Sequence, residues 1–162
     1  MTVLPELHLT VDTQIVMIGA GMSNIDALPS HTELLGHFHV AAFLAIDNDG
    51  QVRAEYERKM SEQSTGRQWL TMLAKNDRIR MYDLVKLPTK VRVELEKAHF
   101  DPDDRRFVRL AMATDSKCLV AEESDYSATV RKALKKHAAV HVHTAESACG
   151  LIDDHQAENQ QP

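Results

Sequence analysis

"DRRFVRLAMATDSKCLVAEESDYSATVRKAL", residues 104–134, decides the fold. Asp101 reads as the N-cap of a helix, with Pro102 at its first position and Asp103 and Asp104 in its first turn. Lys117 to Glu122, "KCLVAE", is short and apolar enough for a buried strand. "DYSATVRKALKKH" then reads as a second helix, with its basic residues gathered at the C-terminal end, where they complement the helix dipole. Helix, strand and helix in such quick succession are the signature of an alternating α/β chain.

The same alternation extends outward in both directions. Downstream, "AVHVH" is a strand and "TAESACGLI" a short last helix. Upstream, Gln14 to Ile18 is a β-branched apolar run that predicts the first strand, buried on both faces. A helical stretch interrupted near Pro29 follows, and His39 to Ile46, "HVAAFLAI", predicts a second buried strand. Val52, Tyr56 and Met60 are spaced like one face of a helix. Further helices are expected around "GRQWLTMLAKN" and "LPTKVRVELEKAH", the latter starting near Pro88. The expected fold is a three-layer α/β sandwich with a central, mostly parallel sheet flanked by helices. One domain would cover residues 1–152, and the polar segment 153–162 would be a disordered tail.

Composition narrows the class of function. The 162 residues are 43% hydrophobic and 27% charged, as in soluble globular domains. A net charge of -5 gives no global basic field, so nucleic acid would need a local patch. No apolar run is long enough to span a bilayer, and no membrane partner is expected. The first residues lack the basic-then-apolar order of a signal peptide. Cys118 and Cys149 are the only cysteines, too few for a disulfide framework. A reducing, cytoplasmic compartment is therefore expected.

Gly19-Ala20-Gly21 raises the alternative of a nucleotide-binding loop. The dinucleotide pattern needs a third glycine for close packing of helix and strand, and Asn24 stands there. Pro29 also interrupts the helix that would face the pyrophosphate. The pattern is incomplete, although Asp47 lies at the distance of a ribose-binding acid.

The acids carry more. Parallel strands present their carboxyl ends to ligands. Glu123 and Asp125 follow the strand at 117–122, Asp103 and Asp104 open the preceding helix, and Glu55 lies on the helix after the second strand. Asp26 lies beyond the glycine pair. Carboxylates without cysteine or histidine suit hard cations such as Mg2+ or Mn2+. Two such ions can clamp the attacking and leaving oxygens of a phosphodiester. This placement predicts that Asp104 and Glu123 meet at one end of the sheet.

Here residues 104–134 resemble the second half of a PIN-domain nuclease, with an acid opening an alanine-rich helix and a strand running into small and acidic residues. The match sets Asp104 at the helix-opening acid, Phe107 and Ala111 at core positions, Glu123 at the strand-end aspartate and Asp125 at a nearby acid. "AEYERKM" is similar to the family's glutamate-bearing helix and selects Glu55, and "AVHVHTAESA" resembles its closing strand and helix. The resemblance runs from Gln14 to Ile152. It implies cleavage of RNA or single-stranded nucleic acid by metal-activated water, with Glu55, Asp104, Glu123 and Asp125 as ligands and Mg2+ or Mn2+ as cofactor. It allows a regulatory protein partner and a homo-oligomer. In the family the first strand ends in an aspartate followed by a small polar residue. The match puts Gly19 at that aspartate, so Asp26 or Asn24 would have to substitute, or the protein would be an inactive binding relative.

Other features have plainer readings. His141 and His143 share a strand face, yet no third ligand accompanies them or His137. Asp47-Asn48-Asp49-Gly50 starts like a calcium loop but has Arg58 where the closing glutamate belongs, which leaves a turn. Arg131, Lys132, Lys135 and Lys136 suit a helix C-terminus, or else a phosphate contact. Trp69 reads as core.

Overall fold

The computed structural model describes residues 4–23 and 28–161. Five strands form one sheet: β1 (His8–Val11), β2 (Phe43–Asp47), β3 (Ile79–Tyr82), β4 (Cys118–Val120) and β5 (His141–His143). Their spatial order is β3-β2-β1-β4-β5, and every pair is parallel. Eight α-helices flank the sheet among the described residues: α1 (Thr13–Gly19), α2 (Pro29–Val40), α3 (Gln51–Lys59), α4 (Thr65–Lys75), α5 (Thr89–Lys97), α6 (Arg105–Ala113), α7 (Ala128–Ala138) and α8 (Ala145–Asn159). A 3-10 turn, Pro102–Asp104, leads into α6. The expected α/β sandwich with a central parallel sheet is the fold observed.

The sheet's centre is its driest part. Leu9, Val11, Leu44, Ala45, Leu119 and Val120 are all completely buried. Each leucine or valine removed from water in this way contributes roughly 1.5–3 kcal/mol before its entropy cost. Tyr56 of α3, Phe107 of α6 and Tyr126 of the loop before α7 close the core.

The first strand is not where the apolar run suggests. Residues 14–18 form most of α1, and β1 lies just before them. Asp12 caps this helix, its Oδ1 accepting from the backbone N–H of Gln14 at 3.0 Å. The cap starts a helix that turns Ile15 and Ile18, three apart, into the core. A short apolar run cannot separate a strand from a buried helix by periodicity alone, and the cap decides it.

Two further expectations are corrected. His39 and Val40 end α2, so β2 begins only at Phe43. The segment from Asp153 is no disordered tail: α8 continues to Asn159, whose Oδ1 accepts from Leu4 N at 2.9 Å.

Candidate functional site

The strand order reverses at β1. The chain leaves β1 for β2 on one side, and β4 returns to its other side. In open parallel sheets the crevice at this reversal, beyond the strands' carboxyl ends, is where ligands bind. Asp12 follows β1 immediately, at this reversal point.

Asp12 is only 4% exposed. Its Oδ1 serves the α1 cap, and its Oδ2 lies 3.5 Å from the Tyr126 hydroxyl, longer than a well-made O–H···O bond. Burial pushes its pKa up to about 7, the Gln14 N–H pulls it down, and Asp104 and Asp125 push it up again. Asp104, at the start of α6, is raised to about 6 by partial burial and by Asp101, with Asp125 and Glu55 adding and Lys59 opposing. Asp125, in the loop between β4 and α7, is raised by desolvation and by Glu122, again against Lys59. Asp104 and Asp125 line one cleft of 310 Å³ together with Asp101, Ser124 and Ser127. Asp12, Asp104 and Asp125 thus feel one another's charge, with Lys59 as their shared counter-charge.

Glu55 is buried on α3 and held by cations. Arg58 donates to it at 2.9 Å, Lys59 Nζ lies at 3.0 Å and Arg106 at 3.8 Å. Burial alone would raise its pKa, but the bonds from Arg58 and Lys59 outweigh that and hold it below the usual carboxylate value. Glu55 therefore places Lys59 beside the three aspartates.

Glu123 does not join them. It is exposed and points to Arg131 of α7, 3.6 Å away. The expected meeting of Asp104 with Glu123 is replaced by that of Asp104 with Asp125 in the shared cleft. Glu122 is taken up by His31 of α2, at 2.5 Å. Asp26 and Asn24 lie outside the described residues.

Gly19 is not at a strand end. It sits in the last turn of α1, where a Cβ would lie 2.8 Å from the His31 carbonyl and 2.9 Å from Leu35 Cδ1. Its glycine identity answers to helix packing, and the acid that ends the first strand is Asp12. The same geometry takes Gly19 out of the strand-to-helix turn that a dinucleotide loop requires. Asp12 escaped the sequence reading because β1 is four residues long and the stronger apolar run at 14–18 reads as the first strand instead. The signal was "HLTVD", a short β-favouring run ending in an acid.

A basic cleft of 490 Å³ adjoins the acids through Arg106. It is lined by Lys86, Arg92, Arg105, Arg106 and Arg109, with Gln51 and Pro102. The basic residues of α7 lie elsewhere, and Arg131 is occupied by Glu123. Among the remaining readings, Trp69 is core, its Nε1 donating to Leu35 O at 3.0 Å. Asp47 caps α3 through Gln51 N and Val52 N at 2.7 and 2.9 Å, so its cluster is a turn. His141 and His143 lie on the edge strand, and His143 Nδ1 bonds Ser147 Oγ at 2.8 Å.

The aspartates beyond the carboxyl ends of the central strands do not close into a group whose ligand atoms all lie within 4.8 Å of one another; among the described residues, Glu33, His37 and Cys149 do. No described helix is long and apolar enough to cross a membrane. The chain matches no protein-family model, no curated protein and no solved structure.

Proposed function

We propose that this protein is a divalent-metal-dependent nuclease acting on RNA or single-stranded nucleic acid, with Asp12, Asp104 and Asp125 as the acids that would hold the ion. The observation that carries the reading is Asp12. It is a buried carboxylate at the sheet's reversal point, with one oxygen lacking a close partner and a pKa raised to about 7, chiefly by burial and further by two neighbouring acids. Such a group is costly without a cation. An all-oxygen donor set fits Mg2+ or Mn2+. When bound, such an ion supplies a water acidic enough to attack a phosphodiester at neutral pH.

The chain's own residues do the rest. Asp12 is fixed by its cap and by the strand beside it, so its carboxyl does not swing. Glu55 holds Lys59 and Arg106 at the boundary between acids and basic cleft. The cations of that cleft can bind and orient a phosphate chain running past the acids. The resemblance to PIN-domain nucleases supports the same reading, now with Asp12 and Thr13 as the strand-end aspartate and its small polar follower. The proposed compartment is the cytoplasm, supported by two cysteines that are both free.

The test is cleavage of single-stranded RNA in Mn2+ or Mg2+, absent in EDTA and absent in Asp12→Asn and Asp104→Asn. One observation favours a second reading, an inactive protein that binds RNA without cutting it: Glu55 is already neutralised by three cations and has no charge to spare for an ion. Metal-independent RNA binding by a folded protein that never cleaves would establish that reading instead.

A further inference from the structure

A second group of ligating side chains sits between α2 and α8 and shares no residue with the acidic crevice. Glu33 and His37 lie one turn apart on α2, and Cys149 and Asp153 one turn apart on α8. Residues four apart share a helix face, so each helix offers a pair, and the two pairs meet across the contact between them. The ligand atoms of Glu33, His37 and Cys149 lie within 4.8 Å of one another. His37 Nε2 is the hub, 3.5 Å from Glu33 Oε1 and 3.6 Å from Asp153 Oδ1. Those separations match the ligand-to-ligand edge of a tetrahedral site, about 3.4 Å for bonds of about 2.1 Å.

Ordinary contacts account for part of the group: the Cys149 thiol donates to Ser30 O at 3.5 Å, and His37 lies at ion-pair distance from both carboxylates. His37 Nε2 is buried and makes no hydrogen bond. Its ring is mostly covered, as is the Cys149 side chain, while Glu33 and Asp153 reach in from the surface. Two carboxylates and a thiol thus surround one imidazole nitrogen that hydrogen-bonds to none of them, a set of donors a cation would draw together. Mixed sulfur, nitrogen and oxygen donors suit a borderline-soft ion with tetrahedral preference, whereas the aspartates of the crevice suit a hard one.

We propose that Glu33, His37, Cys149 and Asp153 form a zinc site that staples α8 to α2. The four ligands close the coordination shell, so the site is structural and leaves no open position for a reacting molecule. On binding, Cys149 loses its proton to solvent and coordinates as the thiolate, and His37 coordinates through neutral Nε2. The site fastens α8 to α2, the helix it packs against most closely.

The full-length protein, stripped with EDTA and freed of chelator, is titrated with Co2+ and then Zn2+. One equivalent of Co2+ should give intense tetrahedral visible bands and a near-ultraviolet thiolate-to-cobalt band, both bleached by Zn2+. Cys149→Ser should lose the near-ultraviolet band, and His37→Ala should weaken Zn2+ binding by about tenfold or more. Glu33→Gln, on the surface, should fold normally and still weaken binding. Zn2+ should raise Tm of the wild type and of Asp104→Asn alike, which separates this site from the crevice. No stoichiometric Co2+ spectrum, a near-ultraviolet band that survives Cys149→Ser, or a Tm indifferent to Zn2+ would overturn the proposal.

Discussion

The backbone N–H of Asp12 donates to the carbonyl of Val120 at 2.9 Å, tying the end of β1 to the end of β4 where the sheet reverses. This bond, with the Gln14 cap, fixes a buried carboxylate at the reversal point between the two strands. Asp12→Asn keeps the shape and leaves an oxygen to cap α1, but it removes the charge. Metal-dependent RNA cleavage should fall by at least about a hundredfold, since a lost anionic ligand both weakens the ion and misplaces its water. Single-turnover cleavage in Mn2+, with circular dichroism as the folding control, measures this.

Stability should depend on pH in an unusual direction. A carboxyl whose folded pKa is raised above its unfolded value is indifferent to pH below the unfolded value, near 4. It destabilises increasingly as pH rises, and its full penalty is reached above its folded value. For Asp12 that value is about 7. Metal-free protein should therefore lose stability between about pH 4 and pH 7. Asp12→Asn should flatten that slope, and saturating Mg2+ or Mn2+ should offset the loss in the wild type. Urea denaturation at several pH values, with and without metal, checks both; an identical slope in Asp12→Asn would refute the assignment.

Gly19→Asp should not create or improve activity. A Cβ there meets the His31 carbonyl at 2.8 Å and Leu35 at 2.9 Å. Backbone on one side leaves no easy relief, and the overpacking should cost about 1–3 kcal/mol. A lower Tm with unchanged or reduced cleavage is expected. Increased cleavage would mean that Gly19, and not Asp12, marks the place of the first acid.

The layers were legible in the sequence because helix and strand signals alternate cleanly after residue 100. Asp101 accepts from Asp103 N at 2.9 Å, as its sequence position suggested, and Ser127 caps α7. Two strands were not legible. β1 is four residues long and adjoins a longer apolar run, while β3 is an edge strand with Met81 half exposed and Arg80 among its four residues. Missing β1 displaced the first acid by seven residues, from Asp12 to Gly19. Asp104 and Asp125 were found because each adjoins a well-signalled element. Glu123 could not be told from Asp125: both are exposed loop acids, and only the fold shows that Asp125 lines the cleft with Asp104 while Glu123 pairs with Arg131 across the turn. The pairing of α2 with α8 is a long-range contact that neither helix announces alone.

The basic cleft gives the last expectation, one that concerns binding apart from chemistry. Arg92 and Arg105 pair with Glu96 at 3.0 and 3.8 Å, and Arg106 pairs with Asp103 at 3.3 Å. Lys86 and Arg109 form no ion pair with a carboxylate among the described residues; Arg109 only donates to Val85 O at 3.0 Å. These two cations are the ones free to meet phosphates. Each phosphate contact to a single strand contributes about 0.7 to the slope of log affinity against log salt. Lys86→Ala with Arg109→Ala should make that slope shallower by about 1.4 and weaken binding alike for all sequences. The double variant should still bind Mn2+, because neither residue touches the acids. Fluorescence anisotropy with a labelled single-stranded RNA across a salt series measures the slope. An unchanged slope would mean that the strand does not run through this cleft, and the acids would then need another path for their substrate.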